Sequence, residues 1–287
     1  MAAQGKGARL GIIAGNGTMP MTVAEAAVAA GRPVYVIGIE GAARQAIEEF
    51  PHTWVCFGEI GRVLKVLKRE GCEDIVIIGG VKRPKLDELR FDFGALRNLP
   101  AILGCLVGGD NSILSGVVEF FEKKGFRVIG AHDVAPELLA TAGPIGKHRP
   151  SRRDQTDIDI GIRVIQALGA LDVGQAAVVA REHVLAVEAV EGTDALLERC
   201  GQLTHRTGGR RGARAGVLVK CAKPGQERRV DLPAIGPETV RRAASAGLTG
   251  IALAAGDVLV AERAEVIAQA DRDGLFVVGV EVPAQAR

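Results

Sequence analysis
Short apolar runs alternate with stretches of helical spacing through the first 130 or so residues of the chain. Arg9–Ala14 is the first such run. It leads into Gly15-Asn16-Gly17 and then a helical pattern through Ala30. Residues 33–39 read as a second strand. Over 59–70, Ile60, Val63, Leu64 and Leu67 share one face of a helix. Another strand at 74–78 ends in Gly79-Gly80. A helix over 113–124 then precedes a strand at 126–130. Strands and helices in strict alternation predict a parallel sheet covered on both faces, closing near Ala131.

The pattern changes over 132–156. Pro136, Pro144 and Pro150 interrupt it, and Lys147, His148, Arg149, Arg152 and Arg153 make a basic cluster. This stretch reads as a linker between an N-terminal domain, 1–131, and a C-terminal domain, 157–287. A helix over 157–168 is expected, with Thr156 as its N-cap. Residues 175–180 and 184–189 are β-like and close enough to form a hairpin. Glu191-Gly192-Thr193-Asp194 opens a helix over 195–200. After the Gly/Arg-rich tract 206–214, a strand over 216–221 runs into a charged turn. The remainder mixes helices and strands, with no internal repeat.

Composition sharpens this picture. The chain is 47% hydrophobic but only 3% aromatic, so its core is built from Val, Ile, Leu and Ala, as buried parallel strands require. A net charge of +2 argues against nucleic-acid binding by bulk electrostatics. Few aromatics means few platforms for stacking bases, and the basic tract 206–214 reads as a solvated connector. Cys56, Cys72, Cys105, Cys200 and Cys221 form no CxxC pair. They read as reduced thiols of a cytoplasmic protein, with no local signature of a nucleophile. The first residues lack the apolar core of a signal peptide, and no run of about 20 apolar residues offers a membrane span.

Candidate chemistry concentrates in the turn after residue 221. Lys220 and Lys223 precede Pro224-Gly225; Gln226, Glu227, Arg228, Arg229 and Asp231 follow. Cations suit a phosphorylated ligand, and carboxylates suit a divalent metal or a general base. Mutual pairing on an exposed turn is the competing reading. Gly15-Asn16-Gly17, between a strand and a helix, can receive an anion but lacks the third glycine of a dinucleotide fingerprint; Glu40 follows the second strand. Gly79-Gly80, with Lys82 and Arg83 beyond, lies at a strand's carboxyl end, where open parallel sheets bind ligands. Gly108-Gly109-Asp110-Asn111-Ser112 precedes a helix: either Asp110 meets a polar ligand group, or Asn111 or Ser112 simply caps the helix. Asp154, Asp157 and Asp159 crowd another helix start. Glu191, Gly192, Thr193 and Asp194 either cap a helix or hold an anion or a sugar hydroxyl.

Taken in order, GIIAGNGTMP, GGVKRP, GGDNSIL, DVGQAAVVA, VLAVEAVEGTD and VKCAKPGQERRVDLPAIG resemble the LpxI-type UDP-2,3-diacylglucosamine pyrophosphatases of lipid A biosynthesis. The resemblance runs from Leu10 to Val280, and its specific parts are EGTD and KPxQxxRxDLPxIG. It departs at Asn111, where many members carry an acid, and at Glu227, where many carry Asp. The resemblance implies an α/β protein with an N-terminal Rossmann-like domain, a C-terminal α/β domain and substrate between them. It implies a cytoplasmic, Mg2+-dependent hydrolase that cuts UDP-2,3-diacylglucosamine to UMP and 2,3-diacylglucosamine 1-phosphate. A homodimer and transient peripheral contact with the inner membrane belong to the same expectation. Asp231 then falls to Mg2+ or to activating water, with Gln226 and Glu227 assisting. Lys220, Lys223 and Arg229 fall to the phosphates, and Glu191, Gly192, Thr193 and Asp194 to the sugar, nucleotide or metal. Gly15, Asn16, Gly17, Gly79, Gly80 and Asp110 complete the expected substrate contacts. Two other readings stay open: a non-catalytic carrier of a lipid or nucleotide sugar, and an NAD(P)-linked oxidoreductase.

Overall fold
The computed structural model describes residues 8–81, 110–204 and 214–282. The chain divides into two compact units: Met1–Pro136 with Glu227–Asp231, and Glu137–Gln226 with Leu232–Arg287.

In the first unit the elements are β1 (Arg9–Ala14), α1 (Met19–Ala29), β2 (Val34–Ile39), β3 (His52–Val55), α2 (Ile60–Arg69), β4 (Cys72–Ile78), α3 (Asp110–Lys123), β5 (Arg127–Val128) and α4 (Ala131–Val134). The sheet is parallel throughout, in the order β3-β2-β1-β4-β5. The chain winds outward from β1 through β3, then returns to the other side of β1 for β4. This Rossmann-like order puts a topological switch point between β1 and β4. The interior strands are apolar on both faces, because a covered parallel sheet exposes neither. Ile37, Leu67 and Ile75 anchor one side of the core. Edge-to-face contacts join Phe120, Phe121 and Phe126 at centroid distances of 5.5 and 6.2 Å, and Val230 packs on the same cluster. At the amino end of β4, the buried Asp74 accepts hydrogen bonds from Arg32 at 2.5 Å and from Arg127 at 2.6 and 2.7 Å. β3 has no counterpart in the strand pattern of the sequence. It is an edge strand whose only fully buried residue is Val55, so it lacks an apolar run.

The second unit contains β6 (Gly143–Pro144), α5 (Arg152–Gly169), β7 (Ala176–Ala180), β8 (His183–Val187), α6 (Gly192–Thr204), β9 (Val217–Lys220), β10 (Ala234–Ile235), α7 (Pro237–Ser245), β11 (Gly250–Ala254), β12 (Leu259–Val260), α8 (Arg263–Asp273) and β13 (Phe276–Val280). Its main sheet has the order β6-β13-β11-β9-β7-β8. The central strands β13, β11 and β9 are parallel, and β6, β7 and β8 add antiparallel edges. A small parallel pair joins β10 and β12. Both units are α/β, as the alternating pattern predicts, and the second has a mixed sheet.

Residues 132–156 carry most of α4, a short 3-10 turn at Pro136–Leu138, the edge strand β6 and the start of α5. The expected N-cap at Thr156 is corrected. α5 starts a turn earlier, at Arg152, because Ser151 and Asp154 form a reciprocal cap. The Ser151 Oγ accepts from the Asp154 N–H at 3.3 Å, and the Asp154 carboxylate accepts from the Ser151 N–H at 2.8 Å. Thr156 instead donates its hydroxyl back to the Arg152 carbonyl at 3.2 Å. The predicted hairpin is present as β7–β8, joined by Arg181 and Glu182 with φ of 53° and 67°. This is the left-handed pair of a two-residue turn that usually takes Asn-Gly. The buried Asp157 of α5 holds it, accepting from the Arg181 N–H at 3.0 Å and the Glu182 N–H at 2.7 Å.

Candidate active site
In the first unit, the turns after β1 and β4 meet at the switch point. The Asn16 and Gly80 backbones exchange hydrogen bonds at 2.7 and 3.2 Å, and the Gly15 N–H donates to the Ile78 carbonyl at 2.9 Å. This close approach explains two of the glycines: a Cβ on Gly15 would lie 2.4 Å from the Gly79 carbonyl oxygen. Gly79 has φ of 98°, and a Cβ there would lie 2.6 Å from the Asn16 carbonyl oxygen. Within the turn the Gly17 N–H donates to the Asn16 Oδ1 at 2.8 Å, and Pro20 supplies no donor to the first turn of α1. Glu40, just beyond β2, accepts from the Cys56 thiol at 3.1 Å. Asp110 opens α3, but its side chain lies outside the described residues, as do Lys82, Arg83, Cys105 and residues 205–213.

In the second unit, β9 ends on Lys220 and α6 begins beside Thr193. Lys220 is 4% exposed, and its ammonium donates to the Thr193 Oγ at 2.7 Å and to the Ala234 carbonyl at 3.3 Å. The Thr193 hydroxyl donates in turn to the Glu188 Oε1 at 2.9 Å. Glu188 is 9% exposed, and its other oxygen accepts from the Gln175 N–H at 3.2 Å. Burial pushes the Lys220 ammonium below the ordinary lysine range, against the opposing pull of the Glu188 and Asp194 charges. Thr193, Glu188 and Lys220 are thus one connected network. Glu188 belongs to none of the candidate clusters of the sequence. Its signal was the position two residues after Ala186, on the inward side of the β8 alternation. Glu191, the acid singled out instead, is exposed and accepts from Arg199 at 2.8 Å. Asp194 is exposed, 3.5 Å from the Arg242 guanidinium.

The charged turn is divided between the units. Lys223 belongs to the second, where it pairs with Asp172 at 2.5 Å. Gln226, also of the second unit, is buried and accepts from the Lys223 N–H at 2.7 Å, closing the Pro224-Gly225 turn. Glu227, Arg229 and Asp231 belong to the first unit. The Arg229 guanidinium grips both oxygens of Glu227 at 2.8 and 2.7 Å, and reaches Glu122 of α3 at 2.7 Å. The hydrogen bonds from Arg229 hold the Glu227 carboxyl below its usual range, outweighing the upward push of burial. The Asp231 N–H donates to the Glu227 carbonyl at 3.0 Å, so 227–231 forms a single helical turn with Asp231, half-buried, at its end. Each of the two lysines expected on phosphate has protein partners as well, Thr193 and Ala234 for Lys220 and Asp172 for Lys223, which take two and one of the three protons of each ammonium.

Among the described residues, no group of three or more His, Cys, Asp or Glu side chains gathers into a metal cage. Nor do the buried thiols suit nucleophilic work. Burial pushes Cys72 and Cys200 up to about 11 and Cys221 up to about 12, so all three stay protonated at neutral pH.

The family models split the chain between residues 138 and 141 and leave Glu227–Asp231 with the C-terminal domain. The LpxI N-terminal domain matches residues 9–138 and the LpxI C-terminal domain matches 141–278. A relative from Caulobacter vibrioides, the UDP-2,3-diacylglucosamine pyrophosphatase LpxI, is 44% identical over 273 residues, covering 95% of this chain and 98% of the relative. A solved isoflavone reductase aligns with 96% of this chain and 78% of its own at 12% identity, with a TM-score of 0.29, too slight a likeness to carry an argument. Both domain matches and the nearly full-length relative place this chain in the LpxI family.

Proposed function
We propose that this protein hydrolyses the pyrophosphate of UDP-2,3-diacylglucosamine, giving UMP and 2,3-diacylglucosamine 1-phosphate. The observation that carries the reading is the identity of 44%, end to end, with the relative named for that activity. Water adds to one phosphorus, the bridging P–O bond breaks, and the departing phosphate keeps the electron pair. The barrier is mostly charge on phosphate oxygens and alignment of the water. Asp231 is the carboxylate we assign to this chemistry, because it ends an ordered turn in the segment most specific to the family resemblance.

A single protein carboxylate fits Mg2+, which commonly takes one or two carboxylates and completes its shell with water and substrate phosphates. The cation would neutralise charge on the pyrophosphate. Asp231 would hold it, while the pairing of Glu227 with Arg229 keeps that neighbouring carboxylate ionised and fixed. The substrate's acyl chains sit in a membrane leaflet, so this reading carries a transient encounter with the membrane surface. Among the described residues no helix is long and apolar enough to cross one.

The test is incubation with UDP-2,3-diacylglucosamine in detergent, with Mg2+ or with EDTA, followed by mass spectrometry. UMP and 2,3-diacylglucosamine 1-phosphate should form only with the metal. Asp231→Ala should lose about 100-fold or more in kcat while unfolding at the wild-type temperature. Intact lipid nucleotide bound to the wild-type protein would overturn the hydrolase reading. Full turnover by Asp231→Ala would overturn the role of Asp231.

A further inference from the structure
The segment that carries Asp231 is a single helical turn. The Glu227 carbonyl accepts from the Val230 N–H at 3.2 Å and from the Asp231 N–H at 3.0 Å. The Glu227 carboxylate accepts from the Arg229 N–H at 3.2 Å and from the Arg229 guanidinium at 2.8 and 2.7 Å. All of these bonds are internal to the turn. They set its shape but not the direction in which its last residue points. Two contacts with the rest of the first unit supply direction. Val230 packs on the core cluster that contains Phe120 and Phe121 of α3. Arg229 extends its Nη1 arm to the Glu122 carboxylate at 2.7 Å. An apolar contact alone lets a five-residue turn rock about it. A second contact, one residue away and through a planar guanidinium, removes that freedom. Glu122 is itself held in place. It follows the buried Phe120 and Phe121, and its carbonyl accepts from the Gly125 N–H at 2.9 Å where α3 ends. A carboxylate there gains nothing from its own helix, because the C-terminal end of the dipole favours cations. Its pairing with Arg229 accounts for an acid at this place.

We propose that Glu122 is a positioning residue for the reaction: by holding the Arg229 guanidinium from α3, it fixes the turn 227–231 and with it the Asp231 carboxylate. The inference rests on the hydrolase reading above and on the role assigned there to Asp231. Every residue it uses belongs to the first unit. In this role Glu122 moves no proton and meets no reacting atom. The side chains of Arg229 and Glu122 are 36% and 42% exposed, and an ion pair so exposed adds little to folding. Its loss leaves the fold standing and loosens one turn, so positioning can be read apart from stability.

The test uses the full-length protein with UDP-2,3-diacylglucosamine in detergent and Mg2+. Glu122→Ala should lower kcat about 3- to 10-fold, with KM within about twofold of wild type. Its Tm should fall by no more than about 3 °C. Glu122→Gln keeps an oxygen for the Arg229 Nη1 and should recover about half of the loss in kcat. On the Asp231→Ala background, Glu122→Ala should lower kcat no further, because the carboxylate it positions is gone. Hydrogen exchange reads the same effect without turnover. Glu122→Ala should speed exchange over 227–231 about 3- to 10-fold and leave β1 and β4 at wild-type protection. Wild-type kcat in Glu122→Ala would overturn the inference. A further loss on the Asp231→Ala background would also overturn it, by showing that Glu122 does not act through Asp231. So would a loss of kcat with no faster exchange over 227–231, or one matched by lost protection throughout the first unit. If Glu122→Ala does not fold, Glu122→Gln measured on both backgrounds closes the same cycle. No cleavage by the wild type overturns the hydrolase reading, full turnover by Asp231→Ala overturns the role of that residue, and this inference falls with either. Cleavage by the wild type and its loss in Asp231→Ala, together with any adverse Glu122 result, overturn this inference alone.

Discussion

Asp74 carries two guanidiniums on one carboxylate, and the balance of forces on it can be read directly. Burial pushes its pKa up, but hydrogen bonds from Arg127 and Arg32, with the charges behind them, outweigh burial and hold it below the usual aspartate range. The sign follows from linkage: a carboxyl depressed on folding contributes stability above its unfolded pKa, about 3.9, and loses it as pH falls through the folded value. Asp74→Asn should therefore cost about 1–3 kcal/mol at pH 7. The gap from wild type should narrow as pH drops below the ordinary aspartate range, as urea unfolding at neutral and acid pH would register. A gap independent of pH would mean that packing, not charge, holds this corner. Residues of this kind escape a reading of the sequence. Arg32, Asp74 and Arg127 are far apart in the chain, and only the parallel order of the sheet brings them together. Lys220 was visible as a cation beside a charged turn. Its burial is a consequence of ending β9 inside the sheet, with β7 and β11 on either side, and that is a tertiary fact.

At the scale of elements, the β7–β8 hairpin shows a local conflict and its compensation. Arg181 and Glu182 both occupy left-handed backbone, which costs roughly 1–2 kcal/mol for each non-glycine residue. The Asp157 carboxylate offsets this by taking both N–H groups. Asp157→Ala should destabilise the protein by about 2–3 kcal/mol. Adding Glu182→Gly should restore about 0.5–1 kcal/mol by relieving one strained residue. If the glycine restores nothing, the turn is not where Asp157 acts. The hairpin itself was legible, since two β-like runs stood close together. The turn was not, because its stabilising group sits on a different element. Apolar runs likewise revealed β1, β2, β4 and β9, whose central residues are buried on both faces. The edge strands β3 and β6 stayed hidden, for an edge needs neither alternation nor an apolar run. The start of α5 was misplaced because Ser151 and Asp154 spell the reciprocal cap within a stretch dominated by prolines and basic residues.

At the scale of the molecule, the first unit is discontinuous. It borrows Glu227–Asp231 from a distant part of the chain, with Val230 on its core and Arg229 paired to Glu122. A fragment of residues 1–136 should therefore protect its β1, β2 and β4 amides from hydrogen exchange less than the full chain does. Val230→Ala in the full chain should reproduce part of that loss, about 1–2 kcal/mol. Equal protection in fragment and full chain would show the borrowed segment to be dispensable for folding. The order of elements in the sequence suggested two contiguous domains. The five-residue excursion escaped that reading because its anchor, Val230, is a single apolar side chain amid charge.

A discontinuous unit also has a history in time. During synthesis the ribosome completes residues 1–136 early, but roughly 90 more residues must follow before Glu227–Asp231 exists. At about 5–20 residues per second that is a delay of roughly 5–20 s. For that interval the nascent first unit has its sheet but not its last core side chain, nor the arginine for Glu122. The residue assigned to the chemistry, Asp231, arrives with the segment that closes this gap, so the first unit completes its core and acquires that carboxylate in one event.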